Sequence, residues 1–145
     1  MLLRCLSTLS LLMLVPLLPG CGQEASDETP SGTLRVFLDS MERGAWDPSS
    51  LEEAYGLLCQ DARDALRRRA ERANGLSRRH FEPWDMIARG RFRLRFAPAP
   101  RSIRERIEGD RAVVTVLGQR ESDRADVPLV REDGHWRIDL RIESL

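Results

Sequence analysis

The hydrophobic period of this chain changes once, near Gly90, and that change limits its fold more than any other feature. Before it, apolar residues recur at helical spacing. Leu34, Phe37, Leu38 and Met41 fall at i, i+3, i+4 and i+7, and Gly44 stands where a helix would end. After Trp46-Asp47-Pro48, Ser49 and Ser50 each have a glutamate three residues on, Glu52 and Glu53, the capping-box spacing that opens a second helix with the stripe Leu51, Ala54, Tyr55 and Leu58. A third helix is predicted over Asp61 to Asn74, held by the thin stripe Ala62, Leu66 and Ala73 and stopped at Asn74-Gly75. Pro83 suits the first turn of a short fourth helix through Trp84, Met86 and Ile87, closed by Gly90.

Beyond Gly90 the period is two. Phe92, Leu94 and Phe96 alternate with Arg91, Arg93 and Arg95, which predicts a half-buried strand ended by Pro98 and Pro100. Ile103 and Ile107 share one face of the next strand, and Gly109-Asp110 turns the chain into Ala112 to Leu117, apolar on both faces apart from Thr115, as a central strand is. Val127, Leu129 and Val130 mark another strand. Asp133-Gly134 is a hairpin signal leading to Trp136, Ile138, Leu140 and Ile142, which alternate with Arg137, Asp139 and Arg141. Helices first and an antiparallel meander afterwards predict an α+β domain in which the helices cover one face of the sheet.

The amino terminus is an address rather than part of that fold. Arg4 and the terminal amine precede an apolar run, Leu6 to Leu18, that matches a secretory leader. It is shorter than the ~20 residues needed to span a bilayer. Its end, Leu18-Pro19-Gly20-Cys21, resembles the bacterial lipobox, with Leu18, Gly20 and Cys21 matching and Pro19 departing from the usual choice. The resemblance implies cleavage between Gly20 and Cys21, acylation of the Cys21 thiol, and a membrane held through those acyl chains. An ordinary secreted protein cut near Gly20, with an incidental Cys21, is the alternative. Gly22 stands where an Asp would retain a lipoprotein in the inner membrane, so the same resemblance implies the outer membrane, facing the periplasm. Three parts follow: a leader over 1–20, the lipidated Cys21 with a tether over 21–32, and a domain over 33–145. Gly22 to Gly32 holds no apolar residue larger than Ala, and such a flexible segment would reach about 17 to 20 Å.

Losing Arg4 with the leader leaves 22 basic residues, all Arg, against 23 acids, a net charge of minus one with no global field for polyanions. Cys5 leaves with the leader and Cys21 would carry lipid, so Cys59 alone remains and no intramolecular disulfide can form. Flanked by Leu57 and Leu58, Cys59 reads as a small buried apolar side chain.

The stretch Leu34 to Met41 followed by Gly44, the pairs Ala54-Tyr55 and Leu57-Leu58, the strand Gly109-Asp110-Arg111-Ala112-Val113-Val114-Thr115-Val116 and the hairpin Val127 to Ile138 together resemble the nuclear-transport-factor-two-like, or cystatin-like, superfamily. More narrowly they are similar to small bacterial lipoproteins of unknown function that carry this domain. The resemblance implies a strongly curved sheet wrapped against helices, a cone whose mouth can hold a ligand. That fold hosts dehydratases, isomerases, transport factors and structural domains, so chemistry must be argued from the site. Isomerase-like members need a carboxylate base facing an apolar cavity and proton donors opposite it. Here the acid would be Glu105, which alternation places with Ile103 and Ile107, and the donor Tyr55, the only tyrosine. Against this lyase or isomerase reading stand a Glu105 paired with a neighbouring Arg at a strand edge, and a Tyr55 that is a core aromatic with its hydroxyl at the rim.

Other chemistries lack their residues. His80 and His135 have no zinc spacing, so no metal is expected. Neither a glycine-rich phosphate loop nor a nucleophile elbow occurs, and no cofactor is expected. Arg63 to Arg79 holds seven Arg, and Asp61, Asp64 and Glu71 leave a local balance of plus four. Arg63, Arg67, Arg68 and Arg72 are therefore candidates for binding anionic envelope components. An Asp64–Arg68 pair at i, i+4 would instead make this ordinary helix support. Aromatics do not interleave those arginines, so nucleic acid is not an expected partner. The residues together predict a non-enzymatic, lipid-anchored envelope protein whose domain binds an unidentified envelope protein or small ligand.

Overall fold

The computed structural model describes residues 26, 28–89 and 98–142. Helix α1, Pro30–Arg43, starts four residues before its apolar stripe. Thr29, extended and with its hydroxyl accepting from the Gly32 amide, is the N-cap, and Pro30 occupies the first helical position, where its missing N–H costs nothing. Pro30, Ser31 and Gly32, which composition places in the tether, are buried helical residues. At the other end Gly44 has an ordinary right-handed φ of −60°. Its lack of a side chain serves packing: a Cβ there would lie 2.8 Å from Leu51 Cγ, and nearer still to Cδ2.

Helix α2 spans Pro48–Gly56, again with proline first and a cap before it. The cap is Asp47, which accepts from the Ser49 amide at 3.1 Å and from the Ser49 and Ser50 hydroxyls at 2.7 and 2.9 Å. This arrangement displaces the capping box expected at Ser49 and Ser50. Glu53 is thereby free to turn to α1, where Ser40 Oγ and Arg43 donate to it at 2.8 and 2.7 Å. Helix α3 is Gln60–Leu76 and the short α4 is Asp85–Arg89.

Four strands follow, β1 Pro98–Glu108, β2 Arg111–Gly118, β3 Arg124–Glu132 and β4 His135–Ile138, paired antiparallel in chain order in one curved sheet. Helices followed by this sheet make the domain α+β, as the change of period predicts. Pro98 and Pro100 open β1. They are accommodated because β1 is an outer strand of this four-stranded sheet, where a missing N–H can go unpaired, and its register shifts between Pro98 and Ile103. The strand expected at Phe92, Leu94 and Phe96 lies outside the described residues. Both tight hairpins use their predicted turn residues. Gly109 has φ 60°, and Asp133 and Gly134 have φ 50° and 84°, the double positive φ of a type I′ turn.

One sheet face, carrying Ala112, Val114, Val116, Leu129, Trp136 and Ile138, is buried against Leu34, Phe37 and Met41 of α1 and against Leu58, Leu66 and Ile87. The Thr33 hydroxyl reaches the Trp136 carbonyl at 3.4 Å, tying the first helix to the last strand. The expected run of β4 through Ile142 stops at Ile138. There the Ile138 amide donates to Leu57 O and its carbonyl accepts from Cys59 N, both at 2.9 Å, so the α2–α3 connection lies alongside β4. Leu140 and Ile142 still pack against the core, outside the strand.

Candidate functional site

The pairing of Glu105 with Val114 puts Glu105 on the helix side of the sheet with Ile103 and Ile107, as alternation requires. Its carboxylate then does something neither sequence reading contains. Oε2 accepts from the Ser31 amide of α1 at 3.0 Å. The first turn of α1 is thereby complete: Pro30 has no N–H, Gly32 donates to Thr29 Oγ1 at 3.1 Å, and Thr33 donates to Thr29 O at 2.9 Å. A carboxylate at this position also opposes the positive end of the helix dipole.

Tyr55 lies elsewhere. Its ring meets Trp84 edge-on at 6.1 Å between centroids, and its hydroxyl donates to the Arg63 carbonyl of α3 at 3.3 Å. That wall of α2, α3 and α4 joins the sheet at β4, through Leu57 to Cys59, whereas Glu105 belongs to β1 at the other side of the four strands. Acid and phenol are held at opposite edges of the sheet, each engaged by a backbone group. The groove that Glu105 lines does not include Tyr55.

The four candidate arginines divide into two sets. Arg63 is half-buried, bound to Gln60 at 2.8 Å and 3.9 Å from Glu132. Arg67 sits between Tyr55 and Asp64, 2.7 Å from the carboxylate, and the two oxygens together raise its pKa above the ordinary value. Asp64 thus pairs with Arg67 at i+3, and the expected Asp64–Arg68 pair is not formed. Arg68 and Arg72 are exposed one residue round the helix, with no ion pair among the described residues. Arg68 does line a polar hollow of about 310 Å³ between α3 and the chain after β4, with Asp61, Asp64, Asp139 and Arg141. Charges of both signs alternate there.

Cys59 is buried, and its thiol lies 3.9 Å from Asp139 Oδ1. Burial first, and with it the Asp139, Glu132 and Asp61 carboxylates, push its pKa up against a lowering hydrogen bond with the Ala62 backbone, the reverse of the shift that activates a thiol. His80 sits 3.1 Å from Glu82, and no group of three potential metal ligands occurs among the described residues. Gly20 and Cys21 lie outside the described residues.

A feature missed by sequence reasoning lies on the open face of the sheet, away from the helices. Arg104, Thr115 and Asp126 form one cross-strand row, and with Arg106, Val113 and Arg124 they line a groove of about 180 Å³ that has Glu105 at its rim. The Thr115 hydroxyl donates to Asp126 at 2.6 Å and Arg124 grips the same carboxylate at 3.1 Å. Both hold the Asp126 carboxyl below the usual range. Arg106 lies 3.3 Å from Glu108 with both side chains exposed, and Arg104 has no anionic partner among the described residues. The alternation of Arg104 and Arg106 with Ile103, Glu105 and Ile107 was visible in the sequence. The register that sets them beside Thr115 and Arg124 was not.

No family model, curated protein or solved structure matches this chain. Fold and surface define an α+β domain with a helix layer on one sheet face and a charged groove on the other.

Proposed function

We propose that this chain is a lipid-anchored cell-envelope protein whose cystatin-like domain is a non-catalytic interaction module, held at the outer membrane and facing the periplasm. The observation that carries the reading is the apolar leader ending in Gly20-Cys21, a short distance ahead of the Thr29 cap. The eight residues from Cys21 to that cap would span at most about 28 Å fully extended, so an acylated Cys21 keeps the domain beside the bilayer. Each buried CH₂ contributes about 0.8 kcal/mol, which makes two or three acyl chains a firm anchor. A binding role for the domain is supported by the commitments of its polar groups. Glu105 closes a helix, Tyr55 braces α3, and Cys59 is a buried thiol. The partner is an envelope protein or a small ligand.

The test replaces the modified residue. Cys21→Ser should turn a membrane association that resists a high-salt wash into one that such a wash removes, and mass spectrometry of the wild-type mature amino terminus should show diacylglyceryl on Cys21. A Cys21→Ser protein that resists the high-salt wash as wild type does, or an unmodified wild-type terminus, refutes the reading.

A further inference from the structure

Two observations coincide at β1. The bond from the Ser31 amide to Glu105 fixes the start of α1 at this edge of the sheet. The sequence neighbours of Glu105, Arg104 and Arg106, project to the opposite face and line the groove with Thr115 and Arg124. The start of α1 and the groove therefore meet at one edge of the sheet.

Register places five arginines on this open face, Arg104, Arg106, Arg111, Arg124 and Arg137, against Glu108, Asp126 and Glu132. Two of those acids are already engaged: Asp126 by Thr115 and Arg124, and Glu132 by the Gln60 amide at 3.1 Å. The ion pair of Arg106 with Glu108 is solvent-exposed and contributes little. Half-buried Val113, Leu117, Pro128 and Val130 lie between the arginines. A near-neutral chain has no net field, so attraction to an anionic surface has to come from one face. A guanidinium fork matches paired phosphate oxygens, and headgroup phosphate is the anion that a tether of this length brings to β1.

We infer that the groove docks the domain on the anionic phospholipid headgroups of the membrane that holds Cys21, with Arg104 and Arg106 taking the phosphates. The choice of a membrane rests on the lipid-anchored reading, but the test needs no acyl chain. The unlipidated Cys21→Ser chain, begun at that position, is sedimented with vesicles of equal parts phosphatidylglycerol and phosphatidylcholine, and with vesicles of phosphatidylcholine alone. Binding is expected only with phosphatidylglycerol, falling steeply as salt shortens the Debye length below about 10 Å. Arg104→Gln with Arg106→Gln should weaken it about thirtyfold, roughly fivefold per charge. Arg68→Gln with Arg72→Gln should leave it unchanged. If the first pair lowers the melting temperature, Arg104→Lys with Arg106→Lys decides, because it keeps the charge and should keep most of the binding.

Absent binding, equal binding to both vesicles, or a loss that follows Arg68 and Arg72 overturns the inference. So does displacement by inorganic phosphate well beyond that by chloride at the same ionic strength, which would mark a site for a free anion. Vesicle binding without a lipidated terminus in the cell, or the reverse, separates failure of this inference from failure of the anchor.

Discussion

Glu105 is an exposed glutamate on an outer strand whose replacement should nevertheless destabilise the domain. Its carboxylate accepts from the amide of Ser31, a residue only 3% exposed. In Glu105→Ala that amide loses its acceptor, and an unsatisfied buried donor costs about 1 to 3 kcal/mol. Glu105→Gln keeps an oxygen in place and loses only the charge–dipole interaction, about 0.3 to 1 kcal/mol. Thr29→Ala, which removes the neighbouring cap, should fall between them at about 1 kcal/mol. With a urea slope near 2 kcal/mol/M, a 2 kcal/mol loss in Glu105→Ala shifts the unfolding midpoint by about 1 M. Hydrogen exchange at the Ser31 amide should quicken in the same variant. The reasoning fails if Glu105→Ala stays within about 0.5 kcal/mol of wild type, the range of ordinary surface changes, or if Gln costs as much as Ala. A catalytic base would show the opposite pattern, lost turnover at unchanged stability.

Leu66 is the only large side chain among the buried residues of α3, the others being Ala62, Ala65 and Ala70, so Leu66→Ala should cost about 3 kcal/mol in chemical denaturation. Leu76→Ala on the same helix, 92% exposed, should stay within about 0.5 kcal/mol, and equal effects would contradict this packing. Hydrogen bonds from Ser40 and then Arg43 lower the pKa of Glu53, so its stabilising contribution is present above the ordinary glutamate range near pH ~4.3 and is lost as pH falls through the lower folded value. Denaturation midpoints across that acid window should fall more steeply for wild type than for Glu53→Gln, and parallel curves would rule the linkage out.

Much of the fold was legible because period and turn chemistry are local. The stripe Leu34, Phe37 and Met41 and the Asp133-Gly134 turn each state their structure within a few residues. What misled was also local, overridden by neighbours. Asp47 caps α2 ahead of the serines that carry the capping-box spacing, and Thr29-Pro30 opens α1 inside a segment whose composition looks like linker. The end of β4 depends on Leu57 and Cys59, which approach Ile138 from another part of the chain. The same holds for the site. The face of Glu105 followed from its parity, but its partner lies 74 residues away, and the Arg104, Thr115 and Asp126 row exists only once three strands are in register.

Thr33 with Trp136 and Cys59 with Ile138 stitch the helices to the last strand. For a polypeptide delivered amino end first, those closures come last. The helices wait with their apolar flanks uncovered until the carboxyl-terminal hairpin has emerged, since such distant contacts are reached only after large loops close. A chain cut short before Trp136 would keep every helix and still lack the strand that holds them together.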